Sequence, residues 1–133
     1  MAKIRVVLAD DHIPLMVHVR EVLGEQFEVL GSFVNGSQAV DATLRMDPDA
    51  VILDISMPVL NGIQAARQLQ AANSRAKIIF LSMHDDPGFV AAAFSAGACG
   101  YVIKSRLSTD LVPAILQAVS GRGFVSGRHI TSL

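Results

Sequence analysis

Hydrophobic and polar positions fall in blocks along this chain. Five short apolar runs, each leading into a polar loop, are separated by longer stretches with helical spacing. Because the runs are continuously apolar rather than alternating, they predict strands that are covered by helices on both faces. A regular succession of strand and helix is typical of βαβ units and a mostly parallel sheet. The predicted strands are IRVVLA, FEVLGSFV, AVILD, AKIIFL and CGYVI.

Five helices are predicted between and after these strands. The second is expected to have Ser37 as its N-cap, and Pro113 leaves the start of the last one open, since proline suits only a first turn. The helices are predicted over about residues 12–24, 37–46, from 62 onward, 87–97 and 108–120. Right-handed crossovers then favour an α/β, flavodoxin-like (βα)5 three-layer sandwich, with a five-stranded parallel sheet in the order 2-1-3-4-5.

The bulk composition narrows the class of protein. A chain of 133 residues with one cysteine, Cys99, predicts one domain without an internal disulfide and suits a reducing cytoplasm. We expect no signal peptide and no membrane span. After Gly121 the chain is rich in glycine and serine, which predicts a folded domain over 1–122 and a linker or truncated continuation over 123–133.

Charge and hydropathy bear on partners. A net charge of −1 provides no basic field for binding nucleic acid directly. Charged residues make up only 17% of the chain, below the 25% or so of an ordinary soluble domain. This apolar excess predicts a homodimer through an apolar helical face, although the residues do not indicate which face.

Polar residues stand where four of the predicted strands end. They are Asp10-Asp11 after the first strand, Asp54 after the third, Ser82 after the fourth and Lys104 after the fifth. Ligands of open α/β sheets bind beyond the carboxyl ends of the strands, where the strand order reverses. In the order 2-1-3-4-5, the first and third strands are neighbours, so the three carboxylates are expected about 5 Å apart.

This combination of groups is suited to phosphoryl transfer. Clustered carboxylates repel one another, and a divalent cation such as Mg²⁺, or Mn²⁺, relieves the repulsion. Asp54, alone at the end of the central strand, is the predicted nucleophile, because carboxylates accept phosphoryl groups as aspartyl phosphates. The fifth strand is expected about 10 Å from the third. A lysine at position 104 is long enough to reach Asp54 over this distance, and a short side chain is not. Ser82, one strand closer, needs only a hydroxyl.

Each of these residues also has an ordinary structural explanation. Asp10-Asp11 could form a turn, with Asp11 as the cap of the first helix, and Asp54 could be a turn residue. A serine or lysine at a strand end is usually solvated. Among the remaining polar residues, Tyr101 could simply have its hydroxyl at the surface. The histidines at 12, 18 and 129 are expected to be surface or structural residues, and Cys99 a small core residue. Only the joint placement on four strands favours a site.

Taken together, these motifs resemble a response-regulator receiver domain of the CheY-like type, over about residues 3 to 121. The matching residues are Asp10-Asp11, Asp54 with Met57-Pro58 and Gly62, Ser82 and Lys104. The stretches LADDH and LSMHDD are similar to the NarL/FixJ branch of LuxR-type regulators. Members of that branch usually carry a helix-turn-helix DNA-binding domain, which would lie outside this chain.

The resemblance implies a role for each residue. Asp54 would accept a phosphoryl group from a sensor histidine kinase, and Asp11, Asp54 and the backbone carbonyl of Ser56 would hold Mg²⁺, with Asp10 acting through water. Ser82 and Lys104 would bind the phosphoryl oxygens. Three further roles complete the set: Tyr101 as a switch coupled to Ser82, and Ser56 and His84 as residues that flank the site and influence its dephosphorylation.

One departure from the family pattern and two competing functions stay open. Ser105 follows Lys104 where the family often has proline with a cis bond, so the geometry of this bond is not predicted. The leading hypothesis is a cytoplasmic signalling switch that catalyses only its own phosphoryl transfer and dephosphorylation. The alternatives are a stand-alone module that acts by protein–protein interaction and a metal-dependent phosphatase, against which the adjacent aspartates and the absence of a cap domain argue.

Overall fold

A computed structural model describes residues 2–83 and 87–126 of the chain. Its strands form one fully parallel sheet in the order β2-β1-β3-β4-β5-β6. The strands are β1 (Ile4–Ala9), β2 (Phe27–Phe33), β3 (Ala50–Asp54), β4 (Lys77–Ser82), β5 (Ala98–Ile103) and β6 (Phe124–Val125). The helices are α1 (Ile13–Leu23), α2 (Gly36–Met46), α3 (Gly62–Ala71), α4 (Pro87–Ser95) and α5 (Leu107–Val119).

The strand order 2-1-3-4-5 is confirmed, and the sheet has one strand more than predicted. β6 pairs in parallel with β5, through Gly100 opposite Phe124 and Tyr101 opposite Val125. The sequence shows only two apolar residues here, within a glycine- and serine-rich stretch, which is too short for strand periodicity to be visible. The edge of β5 provides the pairing, and two residues of the predicted linker therefore belong to the sheet.

Two apolar cores lie on opposite faces of the sheet, which confirms the three-layer architecture. Successive residues of a strand point to opposite faces, and along β3, for example, Val51 and Leu53 enter one core while Ile52 enters the other. Helices α2, α3 and α4 cover the first face, and α1 and α5 cover the second. Because both faces are covered, all five residues of β3 are buried, including Asp54.

The helix boundaries correct several details of the sequence analysis. Asn35, not Ser37, caps α2, and its side chain accepts a hydrogen bond from the Gln38 amide at 2.9 Å. The N-cap position of α1 is His12, so Asp11 does not cap that helix. Pro113 lies inside α5, beyond its first turn.

Two further features of the described residues bear on earlier expectations. The described peptide bonds are all trans, including the one between Lys104 and Ser105. No helix among residues 2–83 and 87–126 is both long enough and apolar enough to cross a membrane.

Candidate functional site

The register of the sheet brings three aspartates together. Ala9 of β1 lies opposite Leu53 of β3, so Asp10 and Asp54, one residue further on, reach the same level at the carboxyl edge of the sheet. Ligand oxygens from the carboxylates of Asp10, Asp11 and Asp54 all lie within 4.8 Å of one another. The neighbouring strand pair therefore produces the predicted acidic cluster.

The three aspartates differ in burial. Asp10 is 2% exposed and Asp54 4% exposed, whereas Asp11 points to solvent. Backbone amides hold the two buried side chains: the His12 amide donates to Asp10 Oδ1 at 2.8 Å, and the Ser56 amide donates to Asp54 Oδ1 at 3.2 Å. These bonds fix the carboxylates from the loops that follow β1 and β3.

Lys104 reaches the cluster from the end of β5. Its Nζ lies 3.1 Å from Asp10 Oδ2 and 3.3 Å from Asp54 Oδ1, and its side chain is 18% exposed. The ammonium group thus reaches Asp54 across two strand spacings and Asp10 across three, and it bridges the two buried carboxylates. A charge pair at this depth interacts more strongly than one at the surface, since less water screens it.

The electrostatics of the cluster favour a proton or a cation. The pKa of Asp54 is raised from 3.8 to about 6, chiefly by burial and then by the nearby charge of Asp10, and Lys104 and the Ser56 amide offset only part of the rise. One ammonium therefore does not compensate fully for the buried negative charge.

The donor set fits a small divalent cation. Asp10 Oδ2 accepts no well-aligned hydrogen bond from the described residues, and its contact with Lys104 is an ion pair only. A buried oxygen without a hydrogen bond is costly, and a metal ion or its bound water satisfies it. Carboxylate oxygens at this spacing, one of them open to solvent on Asp11, are the ligands that Mg²⁺ prefers.

The cluster opens into a cavity of about 490 Å³. Ser82, the last residue of β4, and Ser56 line it together with Asp11, Asp54 and Lys104. Ser82 is 2% exposed, while Ser56 is exposed. The cavity is also lined by His12, Leu15 and Met83.

Asp10, Tyr101 and His84 are not among the described residues that line this cavity. Tyr101 is fully buried in the core between the sheet and α4, so the alternative of a hydroxyl at the surface is wrong. His84 and Asp85-Asp86 lie outside the described residues, as does His129.

Sequence reasoning missed part of the site. Leu15 and Met83 both line the cavity, and Met83 is 79% exposed, but no local pattern in the sequence points to either residue. A side-chain carbon at Gly62 would overlap the carbonyl oxygen of Asp54, and one at Gly36 would overlap that of Leu60. These glycines let α3 and α2 pack directly on the loop that follows β3, and only the Asn-Gly pairs hint at this in the sequence.

The sheet order and the acidic cluster with its lysine define a receiver domain. The chain matches the response regulator receiver domain over residues 6–116, and it belongs to that family. It is 32% identical over 125 residues to the transcriptional regulatory protein DegU of Brevibacillus brevis. The matched region covers 92% of this chain and 53% of DegU. The chain spans little more than half the length of the curated relatives it matches.

Solved structures agree with this assignment. A LuxR-family two-component response regulator from an Aurantimonas species superposes with a TM-score of 0.89 at 30% identity, over 95% of this chain and 91% of that one. RcsB, in a structure of two RcsB dimers bound to two parallel DNAs, superposes with a TM-score of 0.84 at 26% identity, over 95% of this chain and 65% of RcsB. The chain is thus the receiver domain of a LuxR-family two-component response regulator.

Proposed function

We propose that this domain is a phosphorylation-activated switch in which Asp54 accepts a phosphoryl group from a sensor histidine kinase. The observation that carries the proposal is the position of Asp54: it is a buried carboxylate between two further aspartates and a lysine, at the mouth of a cavity. In the reaction, an Asp54 oxygen forms a bond to phosphorus while the bond from phosphorus to the kinase imidazole breaks. The imidazole leaves with the electron pair and takes up a proton.

Each neighbouring group has a part in this proposal. Mg²⁺, or Mn²⁺, would be held by Asp11, Asp54 and the Ser56 carbonyl, with Asp10 acting through water, and it would neutralise phosphoryl charge. Lys104 would exchange its contact with the Asp54 carboxylate for one with a phosphoryl oxygen. Ser82, in the same cavity, would donate its hydroxyl to another.

The output of the switch is a change in population between two loop arrangements. A phosphoryl dianion binds one arrangement better than the other, and it shifts the equilibrium by that difference in affinity. We assign Ser82 and the buried Tyr101 to this shift, because they lie on the neighbouring strands β4 and β5. Ser56 and His84 would influence hydrolysis of the aspartyl phosphate, the only further chemistry that we assign to the domain.

The rest of the protein is also a matter of proposal. We propose cytoplasmic transcriptional control through a DNA-binding domain beyond this chain, supported by the regulator DegU and by the RcsB dimers on DNA. The receiver would span residues 1–122 and the linker 123–133, with β6 as an extension of the sheet. A homodimer is supported by Ile13 and Val17, each 55% exposed and one turn apart on α1.

Acetyl phosphate provides a test that needs no kinase. With Mg²⁺, the intact mass of the wild-type protein should increase by one phosphate, and EDTA should abolish the increase. Asp54→Asn should stay unlabelled, while Asp41→Asn, at an exposed position on α2, should label as wild type does. Labelling of Asp54→Asn would refute the role of Asp54, and repeated turnover of a phosphate ester would favour a phosphatase instead.

A further inference from the structure

Ser126 attaches the chain after α5 to the edge of β5. Its amide donates to the Tyr101 carbonyl at 2.9 Å, and its Oγ accepts from the Ile103 amide at 3.0 Å. In a parallel ladder a backbone carbonyl of the neighbouring strand would receive that second bond. Here the side-chain hydroxyl takes its place, so Ser126, which is 1% exposed, completes the pairing where β6 ends.

A second set of bonds holds the chain on the other side of Lys104. The Asp110 carboxylate, on α5, accepts from Arg106 Nε at 2.9 Å and from Thr109 Oγ1 at 3.0 Å. Burial would raise the pKa of Asp110, but the bonds from Arg106, Ser126 and Thr109 outweigh it and lower the pKa below its usual value. Ser126 therefore acts both on the end of β5 and on the start of α5.

These contacts bracket the residue that bridges the acidic cluster. Ile103, directly before Lys104, is held by Ser126, and Arg106, two residues after it, is held by Asp110. Lys104 itself begins a short 3-10 turn between them. Its Nζ contacts two carboxylate oxygens at once, at 3.1 and 3.3 Å, so the position of the backbone decides which side-chain conformations can reach both.

We propose that Ser126 is a positioning residue for Lys104, so that the segment leading out of the domain sets the geometry of the phosphoryl-binding lysine. The inference rests on the proposed roles of Lys104 and Asp54 in phosphoryl transfer. It also gives the linker a direct mechanical connection to the site, because any movement of β5 that accompanies phosphorylation pulls on the Ser126 bonds. The reverse holds as well, since tension on the linker would displace Lys104.

Three variants separate positioning from stability. Ser126→Ala removes the acceptor of the Ile103 amide, and Ser126→Thr keeps a hydroxyl at the same place. Val125→Ala is the matched control, because Val125 is 5% exposed and belongs to the core, so its truncation weakens β6 without removing any of the Ser126 bonds. The rate of labelling by acetyl phosphate with Mg²⁺ is measured under conditions where urea unfolding shows each variant to be fully folded.

The proposal predicts a specific pattern of rates. Ser126→Ala should be labelled roughly tenfold more slowly than wild type, a loss expected for a misplaced charged group rather than a missing one. Val125→Ala should stay within about twofold of the wild-type rate, and Ser126→Thr should recover most of it. In parallel, Ser126→Ala should move the NMR signal of the Lys104 side-chain amine and speed hydrogen exchange of the Ile103 amide, whereas Val125→Ala should leave the amine signal in place.

Two results would overturn the inference: Ser126→Ala with a wild-type rate and an unmoved Lys104 signal, or an equal loss in Val125→Ala. If the proposed function is wrong, the wild-type protein itself takes up no phosphate, and this result is distinct from a change in the rates of the Ser126 variants. The Lys104 amine signal still decides the positioning claim in that case, since it reports the position of the ammonium without any phosphoryl transfer.

Discussion

Replacing Asp54 by asparagine should stabilise the metal-free protein at neutral pH. Asp54 is 4% exposed, and its pKa is raised from 3.8 to about 6, chiefly by burial and then by the charge of Asp10. The folded state therefore disfavours the ionised carboxylate that predominates above pH 6. At about 1.4 kcal/mol per pKa unit, this rise amounts to about 3 kcal/mol of stability lost in the folded protein above that pH. Asparagine has nearly the same shape and carries no charge, so it removes the loss.

The pH dependence gives the sign of the effect. Between about pH 4 and about pH 6 the folded protein binds more protons at Asp54 than the unfolded chain does, so stability falls as the pH rises through this window. The gain from Asp54→Asn should accordingly be about 3 kcal/mol at pH 7.5 and about 1 kcal/mol at pH 4.5. Mg²⁺ should reduce the gain at pH 7.5, because it stabilises the wild-type cluster by binding.

Urea unfolding in EDTA at these two pH values measures the difference. Asp41→Asn, at an exposed position away from the cluster, is the matched control and should change stability by less than about 0.5 kcal/mol at either pH. The reasoning is refuted if Asp54→Asn is no more stable than wild type at pH 7.5. A gain of the same size at both pH values would also refute it, because the effect would then not arise from ionisation.

Three further predictions address other parts of the structure. Lys104→Gln should lower the rate of labelling by acetyl phosphate by about a hundredfold, since it removes the preorganised cation. Lys77→Gln, at the amino-terminal end of β4 and therefore away from the cluster, should leave the rate unchanged. Asp110→Asn should lower the free energy of unfolding in urea at pH 7, and this loss should disappear as the pH falls below about 4. The pKa of Asp110 is lowered in the folded protein, so the carboxylate stabilises the fold only while it is ionised. A loss of stability that grows in acid would contradict this. Val59 is 81% exposed and has a φ of 68°, which a β-branched residue tolerates poorly and asparagine tolerates better. Val59→Asn should therefore raise the free energy of unfolding by about 1 kcal/mol in urea titrations. A decrease in that free energy would show that no strain is stored at this position.

The parts of the fold that were predictable rest on local signals. Continuous apolar runs mark strands β1 to β5, and the right-handedness of the crossovers then leaves few strand orders for a doubly wound parallel sheet, among them the observed one. The acidic cluster could be predicted for the same reason: chemically distinctive residues directly follow strands, and the carboxyl ends of parallel strands share one edge of the sheet. Lysine at the end of β5 adds an argument from side-chain length, which needs only the predicted strand order and the spacing between strands.

What could not be predicted depends on contacts between distant segments. Asp10 and Asp11 are adjacent in the sequence, and only the packing of the loop decides that Asp10 is buried while Asp11 faces solvent. Ser126 has no local pattern that reveals its role, because its partners, Tyr101 and Ile103, lie more than 20 residues away. The burial of Tyr101 depends likewise on α4 and on β6, whose two residues carry no periodicity of their own.

The central claim, that Asp54 accepts the phosphoryl group, is tested most directly by locating the modification. After reaction with acetyl phosphate and Mg²⁺, borohydride reduction converts an aspartyl phosphate to homoserine, which peptide mass spectrometry assigns to a position. We predict homoserine at position 54 in the wild-type protein, with Asp10 and Asp11 unchanged. Homoserine at position 10 or 11, or none at any position of a protein shown to be folded, would contradict the account.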